Sequence, residues 1–358
     1  MKAVVLVGGE GTRLRPLTLT TPKQMLPIVG VPMIERVLAH LAAHGIAEAI
    51  LSLGYLPDAF KEAYPDGHAA GVALTYAVEP EPLDTAGAVR FAATYGGVDD
   101  TFVVVNGDVL TDLDLTAVVA FHRKSGAEGT IALHPVADPS AFGVVPTDAN
   151  GRVTAFVEKP PRDEAPTNEI NAGTYVFEAS VLNRIAPAGR VSIERETFPA
   201  MVRDGVLFAL SDDGYWLDTG TPAAYLQANH DLLSGKRVSR VADELTDRGD
   251  GVFVSGDSVV MGTVLAPSVI FDGCEIATGA RVERSIIGAG TVIAAGAVVV
   301  DSVIMEGGHV AGDAMVSGSV MGPNATVGQR GDVRPVSVLG AHAVVASGTV
   351  VDGERVTG

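Results

Sequence analysis

Three glycines and three basic residues follow the first apolar run of the chain, Val4–Val7. They are Gly8, Gly9, Gly11, Arg13, Arg15 and Lys23. The apolar run is typical of a buried strand. Glycine permits positive φ and lets backbone N–H groups approach an anion, and the basic side chains add positive charge. The segment therefore predicts a phosphate-binding loop, with a tight strand-to-helix turn as the alternative. The P-loop and dinucleotide motifs are excluded, because the Gly-Lys-Ser/Thr and the third glycine are missing.

Two aspartates could hold a divalent cation. Asp108 follows a predicted strand that ends at Asn106-Gly107, and Asp218 stands in the segment Trp-Leu-Asp-Thr-Gly. Mg²⁺ prefers one or two carboxylates together with phosphate oxygens, so the pair predicts a magnesium site. The alternative is that each aspartate caps the turn that follows it.

A third group of residues could recognise a phosphorylated sugar. Glu158-Lys159-Pro160 ends one predicted strand, and Asn171-Ala172-Gly173 begins the next. A carboxylate and an amide can bind hydroxyl groups, and a lysine can bind a monophosphate. Taken alone, Glu-Lys-Pro is an ordinary strand end.

The elements that carry these residues alternate between short apolar strands and amphipathic helices up to residue 108, which predicts a parallel, doubly wound sheet with ligands at the strand carboxyl ends. From residue 129 strand-like segments are joined by turns, and they predict an antiparallel layer that covers the sheet. Helical patterns return at 192–204 and 222–233. The predicted strands are 46–53, 72–78, 101–105, 130–136, 142–145, 152–157 and 172–177, and the other predicted helices are 32–44, 57–64 and 85–95.

The C-terminal third repeats at intervals of six residues. Small residues, Gly and Asp or Asn separate the apolar positions, which is typical of a parallel β-helix. The alternative is a Gly/Val-rich β-sandwich. The positions expected to stack are Val264, Ile270, Ile276, Val282, Val292, Val298, Ile304, Val310, Val316, Val327, Val333, Val338, Val344 and Val350. We expect one domain at 1–233, a linker at 234–250 and the β-helix at 251–358.

Composition narrows the class of protein. The chain has 358 residues, 47% of them hydrophobic, and a net charge of −18. Because a nucleic acid would be repelled, we expect no nucleic-acid partner. Cys274 is the only cysteine, so neither an intrachain disulfide nor a cysteine zinc site can form. No membrane-spanning run or leader segment is recognisable, and we expect a cytoplasmic protein.

The motifs together resemble the sugar-1-phosphate nucleotidyltransferase family. They occur in the family's order over residues 1–233, and the β-helix extends the resemblance. The motifs are GGEGTRLRPLT, PKQMLP, EPLDTAG, NGD, FGVV, VEKP, NAG and YWLDTG. The resemblance implies an α/β fold, a Rossmann-like doubly wound mixed sheet followed by a left-handed parallel β-helix. It also implies Mg²⁺-dependent transfer of a nucleotidyl group to a sugar 1-phosphate with release of pyrophosphate.

The resemblance also assigns roles to residues of this chain. Arg13, Lys23 and Asp108 would be catalytic, and Asp108 and Asp218 would hold Mg²⁺. The nucleotide site would comprise Leu6, Gly8, Gly9, Gly11, Thr12, Arg13, Asp84, Thr85, Ala86 and Gly107. The sugar-phosphate site would comprise Gly143, Glu158, Lys159, Asn171 and Gly173.

Within the family, the segments 121–123, 168–173 and 192–196 resemble mannose-1-phosphate guanylyltransferases, which implies GTP and mannose 1-phosphate as substrates. Two positions depart from that pattern. Asp84 stands where the family usually has Gly, and its carboxylate could accept hydrogen bonds from guanine or point away. Gln24 stands where guanylyltransferases tend to have Pro, and Lys-Gln is more typical of thymidylyltransferases.

Several functional alternatives remain open on the sequence. One is a guanylyl- or thymidylyltransferase that acts on another sugar or on a cyclitol 1-phosphate. A second is a catalytically silent scaffold that binds nucleotide sugars. A third is an added acyltransferase on the β-helix, where His309 and His342 are the only histidines. We expect homo-oligomers that form through the β-helix, and no membrane partner.

Overall fold

A computed structural model describes residues 1–237, 246–247 and 250–358. It divides into two compact units. The first unit comprises Met1–Glu10 and Met33–Leu217, and the second comprises Gly11–Pro32 and Asp218–Gly358. Much of the predicted linker 234–250 lies outside the described residues, and the predicted domain boundaries remain a prediction.

A mixed sheet forms the core of the first unit. Its central strand, Ala3–Leu6, pairs in parallel with Glu48–Leu53 and with Phe102–Asn106. Ala3, Val4 and Val5 are fully buried, as expected for a strand covered on both faces. This is the predicted Rossmann-like doubly wound arrangement. Within residues 1–237 the strands of this sheet are Ala3–Leu6, Glu48–Leu53, His68–Ala69, Val72–Val78, Phe102–Asn106, Gly129–Pro135, Gly143–Val144, Val157–Glu158, Glu169–Phe177 and Leu207–Ser211.

The predicted antiparallel layer is not a separate layer. Glu169–Phe177 pairs antiparallel with Phe102–Asn106 and so continues the same sheet. Turn chemistry predicts antiparallel neighbours, but it does not say which sheet they join, and that is why the prediction was wrong. The predicted strand 152–157 is also shorter, because only Val157–Glu158 joins the ladder.

The helices lie close to their predicted positions, except that Leu115–Ser125 was not predicted. The first buries Met33, Ile34 and Leu38, and Gly45 follows it with φ +77°, as a helix-terminating glycine does. The helix predicted at 192–204 is instead a π-helical turn, Ile193–Thr197, and then an α-helix. Pro199 lacks the N–H that a continuous helix needs there. The α-helices are Met33–Ala43, Asp58–Ala63, Asp84–Tyr95, Leu115–Ser125, Phe198–Asp204 and Pro222–Leu233.

Short elements connect these. The described residues contain no helix long and apolar enough to cross a membrane. In the second unit a small hairpin joins Pro27–Ile28 to Val31–Pro32. The 3₁₀ turns are Thr12–Leu14, Leu17–Leu19, Lys23–Met25, Arg162–Glu164 and Ala179–Arg184, and two further short strands are Val109–Thr111 and Trp216–Asp218.

After the helix Pro222–Leu233, the second unit contains the predicted left-handed β-helix, whose strands stack in parallel sheets apart from Thr246–Asp247, which pairs antiparallel with Val252–Val254. Within residues 246–247 and 250–358, one sheet contains Thr246–Asp247, Val252–Val254, Ser268–Ile270, Ile286–Ile287, Val303–Ile304, Val320–Met321, Val338–Leu339 and Arg355–Val356. A second contains Val259–Val260, Glu275–Ile276, Val292–Ile293, His309–Val310, Thr326–Val327 and Val344–Val345. A third contains Thr263–Leu265, Arg281–Glu283, Val298–Val300, Met315–Ser317, Asp332–Arg334 and Val350–Asp352. We call them the first, second and third β-helix sheets.

The coil is shorter than three hexapeptides. Ile286 and Val303 are register partners in adjacent coils, and equivalent residues are 17 apart in several coils. One of the three steps in such a coil is therefore five residues, and a strict six-residue repeat falls out of register. Because the step from Val299 to Ile304 is five residues, Ile293 and Val299 are the core positions before it. Leu339, Val345 and Val351 also belong to the core, where they continue the six-residue spacing of Val327 and Val333. The predicted positions one residue earlier, which are Val292, Val298, Val338, Val344 and Val350, do not belong to this core.

A ladder of buried serines marks one corner of the coils. The Ser302 N–H donates to Ser285 Oγ at 3.1 Å, and the Ser319 N–H donates to Ser302 Oγ at 3.2 Å. Each hydroxyl in turn donates to a backbone carbonyl, as Ser302 Oγ does to Val300 O at 2.7 Å. The ladder thus satisfies backbone groups that water cannot reach.

We expect Ser302→Ala to lower the free energy of unfolding of the β-helix by about 1–3 kcal/mol, because the Ser319 N–H then stays buried without an acceptor. Chemical unfolding followed by circular dichroism measures this. Ser347→Ala is the matched control, because Ser347 is exposed on the same β-helix. Equal midpoints for the two variants would contradict the assignment.

Candidate active site

The glycine loop that follows the first strand lies beside the carboxylate of Glu79. A Cβ on Gly8 would lie 3.1 Å from Glu79 Oε1, so only glycine leaves this space open. Glu79 accepts hydrogen bonds from Ser52 Oγ at 2.9 Å and from the Leu83 N–H at 3.3 Å. Glu79 therefore ties the segment 79–87 to the end of the sheet. It stands in the quoted motif region, but no sequence argument singled it out.

Asp84 occupies a backbone conformation that explains the family's usual glycine. Its φ is +61°, in the left-handed region, where Asp is tolerated better than most residues. Its carboxylate is exposed and accepts the Thr85 N–H at 3.1 Å. The Ala86 N–H donates to Val191 O at 2.9 Å, which joins this turn to the segment before Ser192.

The strand Phe102–Asn106 carries the next predicted residues. The Gly107 N–H donates to Leu6 O at 2.9 Å, so the predicted nucleotide residues Leu6 and Gly107 are adjacent. Asp108 follows directly. A Cβ on Gly173 would lie 2.5 Å from Asn106 Nδ2, and Gly173 has φ +73°. Gly173 is thus required twice, by its conformation and by this close approach.

The predicted sugar-phosphate residues come together at the far strands of the same sheet. Gly143 and Glu158 are register partners, and a Cβ on Gly143 would lie 3.1 Å from Glu158 Oε2. Lys159 Nζ lies 3.2 Å from Glu158 Oε1. Lys159 itself has φ +48°, which is unusual for lysine, and its N–H donates to Phe142 O. Strain of this kind clusters at functional sites.

Asn171 is oriented by two internal hydrogen bonds. Its Nδ2 donates to Tyr175 Oη at 2.9 Å, and its Oδ1 accepts the Gly173 N–H at 3.0 Å. Burial raises the pKa of Tyr175, which keeps the phenol neutral. Trp216 Nε1 donates to Ala172 O at 2.9 Å, so the Trp-Leu-Asp-Thr-Gly motif also braces this strand. Neither Tyr175 nor Trp216 was predicted as a site residue.

Glu194 connects the two halves of the first unit's site. Burial raises the pKa of the Glu194 carboxyl, and the negative charges of Glu158 and Asp84 raise it further. Ser192 Oγ donates to Glu194 Oε2 at 3.0 Å. The segment 192–196 was noted for its resemblance to guanylyltransferases, yet the position of Glu194 between these carboxylates could not be read from spacing.

The second unit contains Arg13 and Lys23, two of the basic residues predicted to bind phosphate. Gly11 has φ +62°, and a Cβ there would lie 3.0 Å from Thr18 Cγ2 and 3.1 Å from Lys23 Cβ. Thr18 Oγ1 donates to Gly11 O at 2.9 Å. Thr12 begins the 3₁₀ turn that carries Arg13. Glycine at position 11 therefore lets the loop close onto Lys23.

Asp218 lies between the side chains of Lys23 and Arg13. Lys23 Nζ is 3.6 Å from Asp218 Oδ1, and Arg13 Nη2 is 3.7 Å from Asp218 Oδ2. Only 5% of the Lys23 side chain is exposed. Asp218 Oδ1 also accepts the Gly220 N–H at 2.8 Å, and a Cβ on Gly220 would lie 2.3 Å from Arg13 Nη2. The geometry concentrates positive charge around one carboxylate.

The oxygen donors suit a hard cation. No cluster of three or more His, Cys, Asp or Glu that could hold a metal occurs among the described residues. One or two carboxylates completed by phosphate oxygens is the donor set that Mg²⁺ favours, and Asp108 and Asp218 fit it chemically. The histidines of the β-helix, His309 and His342, are both exposed.

Known proteins share both parts of the chain. Residues 2–235 match the family model described as nucleotidyl transferase, and residues 286–358 match the GMPPB C-terminal domain. A mannose-1-phosphate guanylyltransferase of Mycobacterium tuberculosis is 42% identical over 79% of this chain and 83% of its own. A mannose-1-phosphate guanyltransferase of Gibberella zeae is 39% identical over 73% of this chain and 71% of its own.

Among solved structures, HddC from Yersinia pseudotuberculosis complexed with GMP-PN is similar, with a TM-score of 0.56 and 29% identity. The match covers 64% of this chain and 99% of that one. These likenesses favour an enzyme over a silent scaffold. Members of this family generally use a divalent metal. The chain belongs to the nucleotidyl transferase family and is a sugar-1-phosphate nucleotidyltransferase.

Proposed function

We propose that the enzyme transfers the guanylyl group of GTP to mannose 1-phosphate and releases pyrophosphate. The names of the relatives supply these substrates. The observation that carries the proposal is the buried Lys23 ammonium beside Asp218, in a loop that closes through Gly11. We further propose that the enzyme works in the cytoplasm and assembles into homo-oligomers through the β-helix.

The nucleotide side would use the glycine loop and the Asp84 turn. Backbone N–H groups around Gly8, Gly9 and Gly11 suit phosphate oxygens, and Arg13 suits the departing pyrophosphate. We assign the nucleotide site to Leu6, Gly8, Gly9, Gly11, Thr12, Arg13, Asp84, Thr85, Ala86 and Gly107.

The sugar side would use the far strands of the sheet. Asn171 has a second amide N–H besides the one given to Tyr175, and Glu158 offers carboxylate oxygens to hydroxyl groups. Lys159 is suited to the sugar phosphate. We assign the sugar-phosphate site to Gly143, Glu158, Lys159, Asn171 and Gly173.

The proposed chemistry is a direct in-line displacement. An oxygen of the sugar phosphate attacks the α-phosphorus, the bond from that phosphorus to the bridging oxygen breaks, and pyrophosphate leaves with the electron pair. The nucleophile is already anionic and needs no general base. Catalysis then depends on alignment and on neutralising the repulsion between two anions, which Arg13, Lys23 and Lys159 would do.

We assign the divalent metal to Asp108 and Asp218 and propose that it is Mg²⁺. When bound, Mg²⁺ supplies positive charge to phosphate oxygens. The residues of the chain keep their own tasks. Asp108 and Asp218 hold the cation, and Lys23 and Arg13 keep the surroundings of Asp218 from becoming too negative for a triphosphate.

We expect Asp108→Asn to lower kcat by about 10²-fold, because it removes one of the two charges proposed to hold the cation. Pyrophosphate release under saturating GTP, mannose 1-phosphate and Mg²⁺ measures it. Asp99→Asn is the control, because it removes an exposed carboxylate just before the strand Phe102–Asn106, and it should retain kcat. Near-normal Mg²⁺-dependent turnover of Asp108→Asn would refute the metal assignment.

Asp84 tests the choice of base. Its exposed carboxylate can accept hydrogen bonds from the N1–H and the amino group of guanine, which no other common base offers together. Both Asp84→Gly and Asp84→Asn keep a residue that tolerates φ +61°. We expect kcat/KM for GTP to fall by about 10–100-fold, since a site built around substrate N–H groups discriminates strongly. Activity with ATP or dTTP should change little. An equal loss for every nucleotide, or no loss, would contradict the role.

Gln24, next to Lys23 in the chain, has a buried polar group that lacks a hydrogen-bond partner among the described residues. The side chain is 3% exposed, and its Oε1 has no hydrogen-bond partner within the described part of the chain. An unsatisfied buried oxygen costs about 1–3 kcal/mol, and a substrate N–H or hydroxyl could satisfy it.

We therefore expect Gln24→Met, which keeps the length of the side chain, to raise Tm by about 2 °C and to lower kcat/KM. Differential scanning fluorimetry and pyrophosphate release measure the two effects. Gln329→Met, at an exposed position, is the control and should change neither value. A lower Tm for Gln24→Met would show that the buried oxygen of Gln24 does not destabilise the fold.

A further inference from the structure

A strained hairpin follows directly after the Lys23–Met25 turn. Pro27–Ile28 pairs with Val31–Pro32, and the two residues between them both have positive φ, +45° for Val29 and +75° for Gly30. Two positive φ values are typical of a type I′ turn, where Asn-Gly is favoured. For a β-branched valine this conformation is a true outlier. Something outside the hairpin must therefore hold Val29 in place.

Helix Pro222–Leu233 supplies one part of that support. The Val29 N–H donates to Asn229 Oδ1 at 2.8 Å, and Asn229 is fully buried. Asn229 Nδ2 donates to Tyr225 O at 2.8 Å, which fixes the orientation of the amide. The Tyr225 hydroxyl donates to Pro27 O. One helix thus holds both the start and the tip of the hairpin.

The β-helix supplies the other part. A Cβ on Gly30 would lie 2.2 Å from Phe271 Cζ, so the glycine Cα rests on the edge of the ring. Pro16 makes a similar approach, since a Cβ on Gly340 would lie 3.0 Å from Pro16 Cβ. Phe271 and Gly340 follow strands of the first β-helix sheet that are four coils apart, or about 19 Å at the usual strand spacing. The segment 16–30 is therefore anchored at both ends.

Lys23 lies between these two anchors, with its side chain 5% exposed and its ammonium 3.6 Å from Asp218. We propose that Asn229 and Phe271 are positioning residues for Lys23, so that the β-helix and the helix before it set the geometry of catalysis. This inference rests on the proposed role of Lys23 at the reacting phosphates. A loosened hairpin displaces a charge that acts mainly in the transition state, which lowers kcat more than it changes KM.

Asn229→Ala and Phe271→Ala test the inference in the full-length chain. Each should lower kcat for pyrophosphate release by about tenfold or more and leave KM within about twofold, because small misplacements of catalytic groups are costly. Ala223→Ser is the control on the same helix, and Met315→Ala is the control on the β-helix. Both positions are exposed, and both variants should keep wild-type kcat.

A second measurement separates positioning from general damage. If Asn229 and Phe271 act through Lys23, the same substitutions in a Lys23→Ala background should cost less than about twofold, because residues that act as a unit are not additive. Equal fold losses in the two backgrounds, or wild-type kcat for both single variants, would overturn the inference.

Folding is checked by circular dichroism and thermal unfolding. Phe271→Leu replaces the partly exposed ring with a smaller apolar side chain, and it serves the same comparison if an alanine variant fails to fold. Wild-type enzyme that releases no pyrophosphate from GTP and mannose 1-phosphate would contradict the proposed substrates alone. The variants are then compared with the nucleotide and sugar phosphate that the wild type does use, so the two failures stay distinct.

Discussion

A lysine ammonium buried beside a single carboxylate is the interaction around which the second unit is arranged. A charge removed from water needs a partner within a few ångströms, and Lys23 has Asp218. Several other features follow from that need. Gly11 must be glycine so that the loop can close on Lys23, and a Cβ at Gly220 would displace the Arg13 guanidinium that lies near the same carboxylate. This ion pair thus favours glycine near each of its partners, at Gly11 before Lys23 and at Gly220 after Asp218.

In the first unit, the residues predicted to bind the nucleotide and those predicted to bind the sugar phosphate lie on one sheet, without a separate layer. Because Glu169–Phe177 pairs directly with Phe102–Asn106, the predicted sugar strands continue the sheet that begins with the glycine loop. Glu194 feels the charges of both Asp84 and Glu158. Both charges raise the pKa of the Glu194 carboxyl, so a change in either carboxylate alters the electrostatic environment of a residue that is in neither predicted set.

Much of this was predictable from sequence, and the exceptions have physical reasons. Apolar periodicity located the central strands and most helices, and the role of the glycine loop as an anion site stays a prediction. The β-helix register slipped by one residue at Val292 and Val298 because the step from Val299 to Ile304 is five residues, which a six-residue template cannot follow. Asp84 was noticed as a departure, but its φ of +61° shows that the constraint is conformational. Asn229 could not be found from sequence, since its contact with Val29 spans 200 residues and no local pattern marks it.

The serine ladder also limits how this part of the protein can change in evolution. Since Ser268, Ser285 and Ser302 recur at 17 residues and each hydroxyl accepts an N–H of the next coil, only a whole coil can be gained or lost without breaking the ladder. Shorter insertions in a strand would turn core side chains outward, whereas insertions at the turns would not. Length changes within the serine ladder should therefore comprise whole coils, whereas turns outside it can vary, as the spacings of 16 residues from Val252 to Ser268 and 18 residues from Val320 to Val338 show. The gene can lengthen the ladder by duplicating about 51 nucleotides, three for each residue of the coil.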